Sequence, residues 1–295
     1  MDATITTLAG DLGHPEGPDI LPDGRIVMVE TYTSKLIAWS QARGIHDYAD
    51  CGGGPNAAML GSDGAVYITQ NGGTVGAWRA QVMGRPSIQK AWPDGRVEEV
   101  AHEVAGIPLQ APNDLSFGPD GRLFFTDPAD YLPNDRKPGR VFALSPDGTG
   151  ELLEELPAAY PNGIVAEPDG SIVWVESYER GIYRKAPGQP SQRIAVLPEG
   201  HIPDGLKIAA NGDLWITTVL GGTVDVLAAD GAWKDSLATG GAPLNCIFHE
   251  GALFIVDFGD ITEITGDAPM GGRLWRADVG VEGMPLFRGA IAART

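Results

Sequence analysis

The sequence has little cysteine and few basic residues. Two cysteines occur in 295 residues, Cys51 and Cys246, and they lie far apart and outside any CxxC or Cys/His metal spacing. A Cys/His metal site is therefore not indicated, and both thiols are expected to be free and buried. Lys and Arg number 21 against 39 Asp and Glu, which gives a net charge of −18. Such a charge repels a phosphate backbone and argues against nucleic acid as a partner.

Long apolar runs and long helical patterns are also absent. No stretch approaches the roughly 18 consecutive apolar residues that span a bilayer, so no membrane partner is expected. The N-terminus has neither the basic nor the apolar segment of a secretion signal, which predicts a cytoplasmic location. No convincing amphipathic helix separates the strand candidates, which disfavours a TIM barrel or a doubly wound fold. The HExxH, G-x-S-x-G and Walker motifs are missing as well.

Turn-forming residues, by contrast, are abundant. The 41 glycines and 23 prolines are spread along the whole chain and are not gathered into a linker. This distribution is typical of many short strands joined by tight turns. Hydrophobic residues make up 43%, which is enough for a globular core. Because all-β proteins of this length commonly form one unit, we expect a single domain over residues 1–295.

Six hairpin-like segments repeat along the chain. Five align without a gap, from HPEGPDILPDGRIVMVE to IPDGLKIAANGDLWITT, and a sixth, APLNCIFHEGALFIVD, lacks two residues at its turn. Each contains a polar residue close after a proline, a short apolar run, a turn and an alternating apolar strand, which is the pattern of a β-hairpin. Their spacing suits four-stranded blades. We predict an all-β fold, a six-bladed β-propeller whose last blade is completed by residues 3–9.

One polar residue marks each repeat, and we call this set the anchor residues. The innermost strands of a propeller run beside the central axis, so equivalent positions at their starts converge on one point. All six side chains carry oxygen and none is His or Cys, which favours calcium over zinc or copper. The alternative is that they are ordinary turn residues ahead of strands. The anchor residues are Glu16, Asn56, Asn113, Asn162, Asp204 and Asn245.

A second set of polar residues lies about 14 positions after the anchors, where each hairpin returns to the anchor's face. These strand-end residues are candidates for supporting the metal ligands or for lining a pocket, although solvated strand ends are the alternative. Asn71, in Asn-Gly-Gly, either lines the pocket mouth or forms a plain turn. His14 and His201 lie near anchors and could assist proton transfer. The strand-end residues are Glu30, Gln70, Asp127, Glu176, Thr218 and Asp257.

Five stretches of the sequence resemble the calcium-dependent lactonases grouped as senescence marker protein (regucalcin), gluconolactonase and luciferin-regenerating enzyme. They are PEGP, GGGPN, APNDLSFGPDGRLFFTDP, YPNGI and IPDGL. The resemblance covers nearly the whole chain and implies a six-bladed propeller. It implies calcium ligands at Glu16, Asn162 and Asp204, with Asn113 completing the metal shell or touching substrate. Sugar lactonases of this family carry an arginine and a glutamate near the substrate. This sequence has Ala111 at the position of the arginine and, in a less certain match, Tyr131 at the position of the glutamate. The difference argues against a sugar lactone as substrate.

These features together predict a calcium-dependent hydrolase that opens the ring of a small-molecule lactone or ester. A divalent cation (calcium, with Zn²⁺, Mn²⁺ or Mg²⁺ as substitutes) would polarise the carbonyl, and Asp204 would act as general base. One alternative is a phosphotriesterase of the same fold that hydrolyses organophosphates, and another is a non-enzymatic propeller with structural calcium. The predicted metal ligands are Glu16, Asn113, Asn162 and Asp204. The predicted substrate contacts are Asn113, Asn56, Asn71, Tyr131, Asp127 and Glu176.

Overall fold

A computed structural model of the protein describes residues 1–76, 78–259 and 271–293. Regular structure in these residues consists of β-strands, arranged as six four-stranded sheets and two short two-stranded ribbons. None of the described residues forms an α-helix, so this part of the chain holds no helix able to cross a membrane. The predicted cytoplasmic location stays a prediction.

The six sheets are the blades of a propeller, numbered I to VI along the chain, and each is built from antiparallel strands. Ribbons occur within blade II and between blades II and III. The strands are β1 (Thr4–Leu12); blade I, β2 (Pro15–Ile20), β3 (Ile26–Glu30), β4 (Lys35–Ser40), β5 (Gly44–Asp50); blade II, β6 (Pro55–Leu60), β7 (Val66–Gln70), β10 (Ser87–Ala91), β11 (Val97–Ala101), with ribbon β8 (Thr74–Val75) and β9 (Trp78–Arg79); ribbon β12 (Glu103–Val104) and β13 (Ile107–Pro108); blade III, β14 (Leu115–Phe117), β15 (Leu123–Asp127), β16 (Gly139–Leu144), β17 (Gly150–Leu156); blade IV, β18 (Pro161–Ala166), β19 (Ile172–Glu176), β20 (Gly181–Lys185), β21 (Gln192–Val196); blade V, β22 (Pro203–Ile208), β23 (Leu214–Thr218), β24 (Thr223–Leu227), β25 (Trp233–Ala238); blade VI, β26 (Pro243–His249), β27 (Ala252–Asp257), β28 (Gly272–Asp278).

The N-terminal strand closes the ring. Strand β1 pairs antiparallel with β28, Thr4 lying opposite Asp278, and so becomes the outer strand of blade VI. Innermost strand β2 contacts both β6 of blade II and β26 of blade VI, which joins the first and last blades. Closure of this kind leaves no inner sheet edge open to pairing with another chain. The predicted six-bladed, four-stranded, all-β fold is confirmed, as is the completion of the last blade by the N-terminus.

The hydrophobic core lies between neighbouring blades. Side chains that alternate along each strand point into the two interfaces that flank a blade, so every interface holds an apolar cluster. Between blades II and III, for example, Tyr67 packs edge-on against Phe117 with ring centroids 5.1 Å apart. Cys51 and Cys246 are buried free thiols in two such clusters, as predicted. Burial raises the pKa of each thiol to about 12, which leaves both protonated and unreactive at neutral pH.

The Asp-Gly pairs between the first two strands of blades I to IV form turns. In the first hairpin Gly24 has φ of 82°, a left-handed conformation that favours glycine. The Asp23 carboxylate accepts a hydrogen bond from the backbone nitrogen of Arg25 at 3.2 Å and so stays within its own turn. The same arrangement recurs at Asp169 and Gly170, where φ is 86°. These turns set the register that returns each chain segment to the start of its anchor strand.

The C-terminal segment crosses the ring at the end opposite the anchors. It binds the ends of several inner strands, with the Met284 nitrogen donating to the Ile208 carbonyl at 2.8 Å. Arg288 forms an ion pair with the buried carboxylate of Asp19 and also donates to the Leu60 carbonyl. Leu286 packs against the apolar clusters on two sides of the ring. The axial channel is therefore covered at this end.

Candidate functional site at the start of the inner strands

Five of the six anchor residues line one pocket of about 200 Å³. All but one anchor lie within the innermost strands, and Asn113 sits in the loop just before β14. Because these strands converge on the axis, side chains that are 40 or more residues apart in the sequence share one cavity. Asn245 does not line this pocket and lies deeper in the channel. The anchors that line it are Glu16, Asn56, Asn113, Asn162 and Asp204.

Glycines directly after three anchors let the inner strands approach closely. A Cβ atom on Gly163 would lie 2.5 Å from the backbone oxygen of Asp204, the anchor of the next blade. A Cβ atom on Gly205 would overlap the side chain of Asn245 in the same way. Real Cβ atoms do not tolerate such contacts, so glycine is required for this packing of blades IV, V and VI. These three blades thus bring their anchors close together.

Hydroxyl groups at the ends of the second strands of blades I to V link each of these strands to the backbone at or just before the anchor of the next blade. Thr126 donates to the Asn162 carbonyl at 2.7 Å, and Ser177 donates to the Pro203 carbonyl at 2.8 Å. Equivalent bonds run from Thr31 to Pro55, from Thr69 to Asn113 and from Thr217 to Leu244. Each bond is buried and satisfies a carbonyl beside an anchor side chain. Sequence analysis missed this set, although a Ser or Thr stands near the end of each of these five strands.

Two anchor carboxylates line the same pocket and interact electrostatically. Burial raises the pKa of Glu16 well above its ordinary value, and the negative charges of Asp204 and Asp114 raise it further. Burial, together with the charge of Asp114, raises the pKa of Asp204 to about 8, while a hydrogen bond from Asn162 opposes this effect. Like charges that are held together in a low-dielectric site favour protonation or a bound cation. Three deprotonated carboxylates without a cation would therefore repel one another in this site.

A partly buried ammonium group lies beneath the pocket. Lys207 donates to the side-chain oxygen of Asn245 at 3.2 Å, and the side-chain nitrogen of Asn245 donates to Asp114 at 3.2 Å. Burial raises the pKa of Asp114, and the positive charge of Lys207 opposes that rise. Sequence analysis missed both charged residues, although Asp114 directly follows an anchor in the chain. This chain of hydrogen bonds forms the floor of the axial site.

The strand-end residues hold the loops that lead into the anchors. Glu30 accepts hydrogen bonds from the backbone nitrogens of Gly13 and His14, just ahead of anchor Glu16. Asp127 accepts from the backbone nitrogens of Gln110 and Ala111, at 3.0 Å and 2.7 Å, ahead of anchor Asn113. These bonds fix where the anchor strands of blades I and III begin. For Glu30 and Asp127 the geometry supports positioning of the anchors.

The predicted substrate contacts separate into two groups. Asn56, Asn113 and Tyr131 line the pocket. Asn71, Asp127 and Glu176 are not among its lining residues. The side-chain nitrogen of Asn71 donates to the Asn56 side-chain oxygen at 3.2 Å. Asp127 is fully buried, its oxygens accept the two loop amides, and burial raises its pKa to about 6. Glu176 is buried and accepts a hydrogen bond from the indole nitrogen of Trp174 at 3.2 Å. Contact of Asn71, Asp127 and Glu176 with a substrate stays a prediction.

The two candidate histidines lie in different environments. His14 lines the pocket and packs against Phe258 with ring centroids 4.7 Å apart. Burial lowers the pKa of His14 to about 3, so its imidazole is neutral at physiological pH. His201 is outside the pocket lining, and its Nδ1 atom lies 2.8 Å from the buried carboxylate of Asp225. Neither histidine is placed in hydrogen-bonding contact with Asp204.

Apolar and aromatic side chains complete the pocket wall. Tyr131 and Tyr160 stand on one side with ring centroids 4.9 Å apart in an edge-to-face arrangement. Ser177 lies between the anchors of blades IV and V. The apolar part of the wall comes from blades V and VI and the segments that flank their strands. Its members are Ile202, Val219, Leu220, Leu244 and Phe258.

The donor set fits a hard divalent cation. Among the described residues no group of three or more His, Cys, Asp or Glu side chains forms a metal site. A cation at the anchors would instead be bound by two carboxylates, Glu16 and Asp204, together with amide oxygens of Asn113 and Asn162. Mixed carboxylate and amide oxygen is the ligand chemistry of calcium, and soft-metal ligands are missing. The raised pKa values of Glu16 and Asp204 show where positive charge would be stabilised.

Fold and site define a six-bladed propeller with an acidic and amide pocket at one end of its axis. Residues 14–256 match the family model described as the SMP-30/Gluconolactonase/LRE-like region. The match covers more than half of the chain and includes the six hairpins. The chain therefore belongs to the SMP-30/gluconolactonase/LRE-like family, as the sequence resemblance indicated.

Relatives in this family include two lactonases. The gluconolactonase of Zymomonas mobilis is 25% identical over 289 residues, which cover 85% of this chain and 77% of the relative. Pentonolactonase XacC of Haloferax volcanii is 28% identical over 297 residues, which cover 94% of each protein. Among solved structures, regucalcin from Agrobacterium tumefaciens, a calcium-binding protein, has a TM-score of 0.75 at 18% identity and covers 98% of this chain and 97% of its own. This structural likeness supports the fold.

Proposed function

We propose that the protein is a hydrolase that opens the ring of a lactone at the axial pocket, using a divalent cation, calcium in the first instance. The observation that carries this proposal is the convergence of Glu16, Asn113, Asn162 and Asp204 on one cavity. Membership of the family and the two lactonase relatives support the reaction class.

The cation would be held by these four side chains. When bound, it would supply Lewis acidity to polarise the lactone carbonyl and stabilise the negative charge that develops on its oxygen. Glu16 is almost fully buried and its carboxylate also accepts a hydrogen bond from the Gly17 nitrogen, which fixes its orientation. Asn162 is held by Ser177, to which its side-chain nitrogen donates at 3.1 Å. The ligands are thus positioned before any substrate arrives.

Asp204 is the residue we assign to proton transfer. Asp204 and Glu16 both line the pocket, but Asp204 is partly exposed whereas Glu16 is buried. One carboxylate oxygen of Asp204 would take a proton from the attacking water as the water oxygen bonds to the carbonyl carbon. The ring C–O bond then breaks, and the same proton passes from Asp204 to the leaving alkoxide oxygen. Lactone and water become one hydroxy acid.

Competing proton acceptors are disfavoured by their surroundings. His14 lines the pocket, but its strongly lowered pKa makes it a poor base at neutral pH. His201 lies outside the pocket lining with its Nδ1 atom beside Asp225. The aromatic rings of Tyr131, Tyr160 and Phe258 border the anchors and limit the water that reaches them.

A lactone screen tests the proposal. Sugar and aliphatic lactones are incubated with the protein in weakly buffered indicator, first as prepared, then with a chelator, and then with calcium restored. Ring opening that is lost with chelator and regained with calcium is the expected result. An aryl phosphotriester tested in parallel addresses the organophosphate alternative. Failure of every ester, combined with a fall in melting temperature on chelation, would instead indicate a non-enzymatic calcium-binding propeller.

A further inference from the structure

Part of the pocket wall is apolar. Leu220 and Val219 follow the second strand of blade V, Leu244 lies in the inner strand of blade VI, and Phe258 follows β27. Leu220 is 54% exposed. Leu220 lines a pocket whose other residues include carboxylates and amides. Apolar surface exposed at a cleft is typical of a ligand contact, and we interpret the exposure of Leu220 in this way.

No lysine or arginine lines the pocket among the described residues. Residues 260–270, which the structure leaves undescribed, contain no lysine or arginine in their sequence either. Lysine and arginine side chains of the described residues therefore provide no positive charge at this pocket for a phosphate or a carboxylate.

A polyhydroxylated substrate would also be poorly matched. Each sugar hydroxyl that is placed against Leu220, Leu244 or Phe258 would lose its hydrogen bonds to water and find no partner. Sites that bind hydroxyl groups well do so through paired polar side chains, which these aliphatic and aromatic residues do not provide. The polar and the apolar residues of the pocket lining together suit an amphipathic molecule.

We propose that the substrate is a compact neutral lactone bearing an alkyl or aryl substituent. The ring carbonyl faces Glu16, Asn162 and Asp204, and the substituent packs on the apolar wall formed by Val219, Leu220, Leu244, Phe258 and Ile202. This inference rests on the proposed lactone hydrolysis at the same pocket. The volume of about 200 Å³ limits the substituent to a short chain or a single ring.

The test is a chain-length series at saturating calcium. Values of kcat/KM are measured for δ-valerolactone, δ-hexalactone and δ-octalactone, and for glucono-δ-lactone. We expect kcat/KM to rise about threefold for each added methylene until the wall is covered, the transfer energy of a methylene group setting the slope. Glucono-δ-lactone should fall about tenfold or more below δ-octalactone. A flat series, or glucono-δ-lactone as the best substrate, would overturn the inference and leave lactone hydrolysis intact.

A variant pair locates the effect on the wall. Leu220→Ser should reduce the ratio of kcat/KM for δ-octalactone over δ-valerolactone about fivefold, mainly through KM, because it removes apolar contact area. Val196→Ser is the matched control, since Val196 is a similarly exposed aliphatic residue, 48% exposed, on the outer strand of blade IV. An unchanged ratio in Leu220→Ser would contradict the assignment of the wall.

A binding measurement separates this inference from the proposed reaction. Calorimetry compares a δ-lactam that carries a pentyl group with unsubstituted δ-valerolactam, both without a hydrolysable ester. Tighter binding of the alkyl lactam, lost in Leu220→Ser, supports the apolar specificity even if no lactone is hydrolysed, and in that case the proposed reaction fails alone. Equal or undetectable binding of both lactams would overturn the specificity.

Discussion

The Ser177 hydroxyl bridges the anchor strands of blades IV and V. Its oxygen accepts a hydrogen bond from the side-chain nitrogen of Asn162 at 3.1 Å and donates to the Pro203 carbonyl, next to Asp204, at 2.8 Å. One buried hydroxyl therefore orients the amide of one proposed metal ligand and the backbone of another. Because both bonds are buried, the loss of this hydroxyl should be felt at the site.

Ser177→Ala should weaken calcium binding about fivefold and lower the free energy of unfolding by about 1 to 3 kcal/mol. Thr31→Val is the matched control, because Thr31 makes the equivalent bond to the Pro55 carbonyl, away from the proposed ligands. It should cost similar stability and leave calcium affinity near that of wild type. Calorimetric titration with calcium, alongside thermal unfolding, measures both quantities. Equal losses of affinity in the two variants would reduce Ser177 to a structural role.

A close approach of two strands predicts the effect of a single methyl group. Gly163→Ala would place a Cβ atom 2.5 Å from the Asp204 backbone oxygen, so the inner strands of blades IV and V must separate. We expect a loss of about 1 to 3 kcal/mol of stability and at least a tenfold loss of calcium affinity. In Gly10→Ala the new methyl group meets nothing within 4 Å, and that variant should behave like wild type. Normal calcium affinity in Gly163→Ala would show that the anchors tolerate separation.

The buried carboxylates predict how stability depends on pH when metal is absent. The pKa of Asp204 is about 8 in the folded protein against 3.8 for an ordinary aspartate, and that of Glu16 is raised as well. Between about pH 4 and pH 8 the folded state binds protons at Asp204 and Glu16 that the unfolded state releases. The contribution of these two groups to the free energy of unfolding is therefore greatest below about pH 4 and falls as pH rises towards 8. Metal-free protein should therefore melt several degrees lower at about pH 8 than at about pH 5.5.

Calcium should reverse this trend. It competes with protons for the same oxygens, so the increase in melting temperature that calcium produces should grow as pH rises. Thermal unfolding over this pH range, with chelator and with saturating calcium, gives both curves. An increase that is independent of pH would place the cation away from Glu16 and Asp204.

The lysine beneath the pocket should oppose cation binding. Lys207→Met removes a positive charge that is linked through Asn245 to Asp114, and we expect calcium affinity to rise up to about tenfold, about 1.4 kcal/mol. The metal-free protein should become less stable, because Asp114 then lacks a compensating charge. Lys234→Met removes the same charge from the outer strand of blade V, where Lys234 pairs with Asp213 at 2.6 Å. That control should change neither property by much, and a lower affinity in Lys207→Met would contradict this interpretation.

The fold could be predicted from sequence because its determinants are local and repeated. A turn such as Asp23-Gly24 fixes a hairpin within a few residues, and six hairpins with the same pattern specify a ring. The anchors followed from the same repetition, since equivalent positions in a propeller share the axis. The free, buried state of both cysteines followed from their spacing.

The remaining site residues depend on contacts between blades, which no local pattern encodes. Lys207 and Asp114 are linked by hydrogen bonds through Asn245, although the three residues belong to three different blades. Asp127 and Glu176 were predicted to face a pocket because their strands end there, but their side chains turn towards backbone amides and an indole. Which way a buried polar side chain turns is decided by the nearest unsatisfied partner, and that partner is known only in three dimensions.

The central claim is that Asp204 transfers a proton at a calcium-dependent lactone site, and turnover of Asp204→Asn at saturating calcium tests it most directly. The variant keeps an oxygen ligand, so calcium should still bind, though more weakly, while turnover falls by roughly 10² to 10⁴ and extra calcium gives no rescue. Asn162→Ala, measured in parallel, should lose affinity and activity together and be partly rescued by calcium. Turnover of Asp204→Asn within about threefold of wild type would contradict the claim and leave Asp204 as a ligand alone.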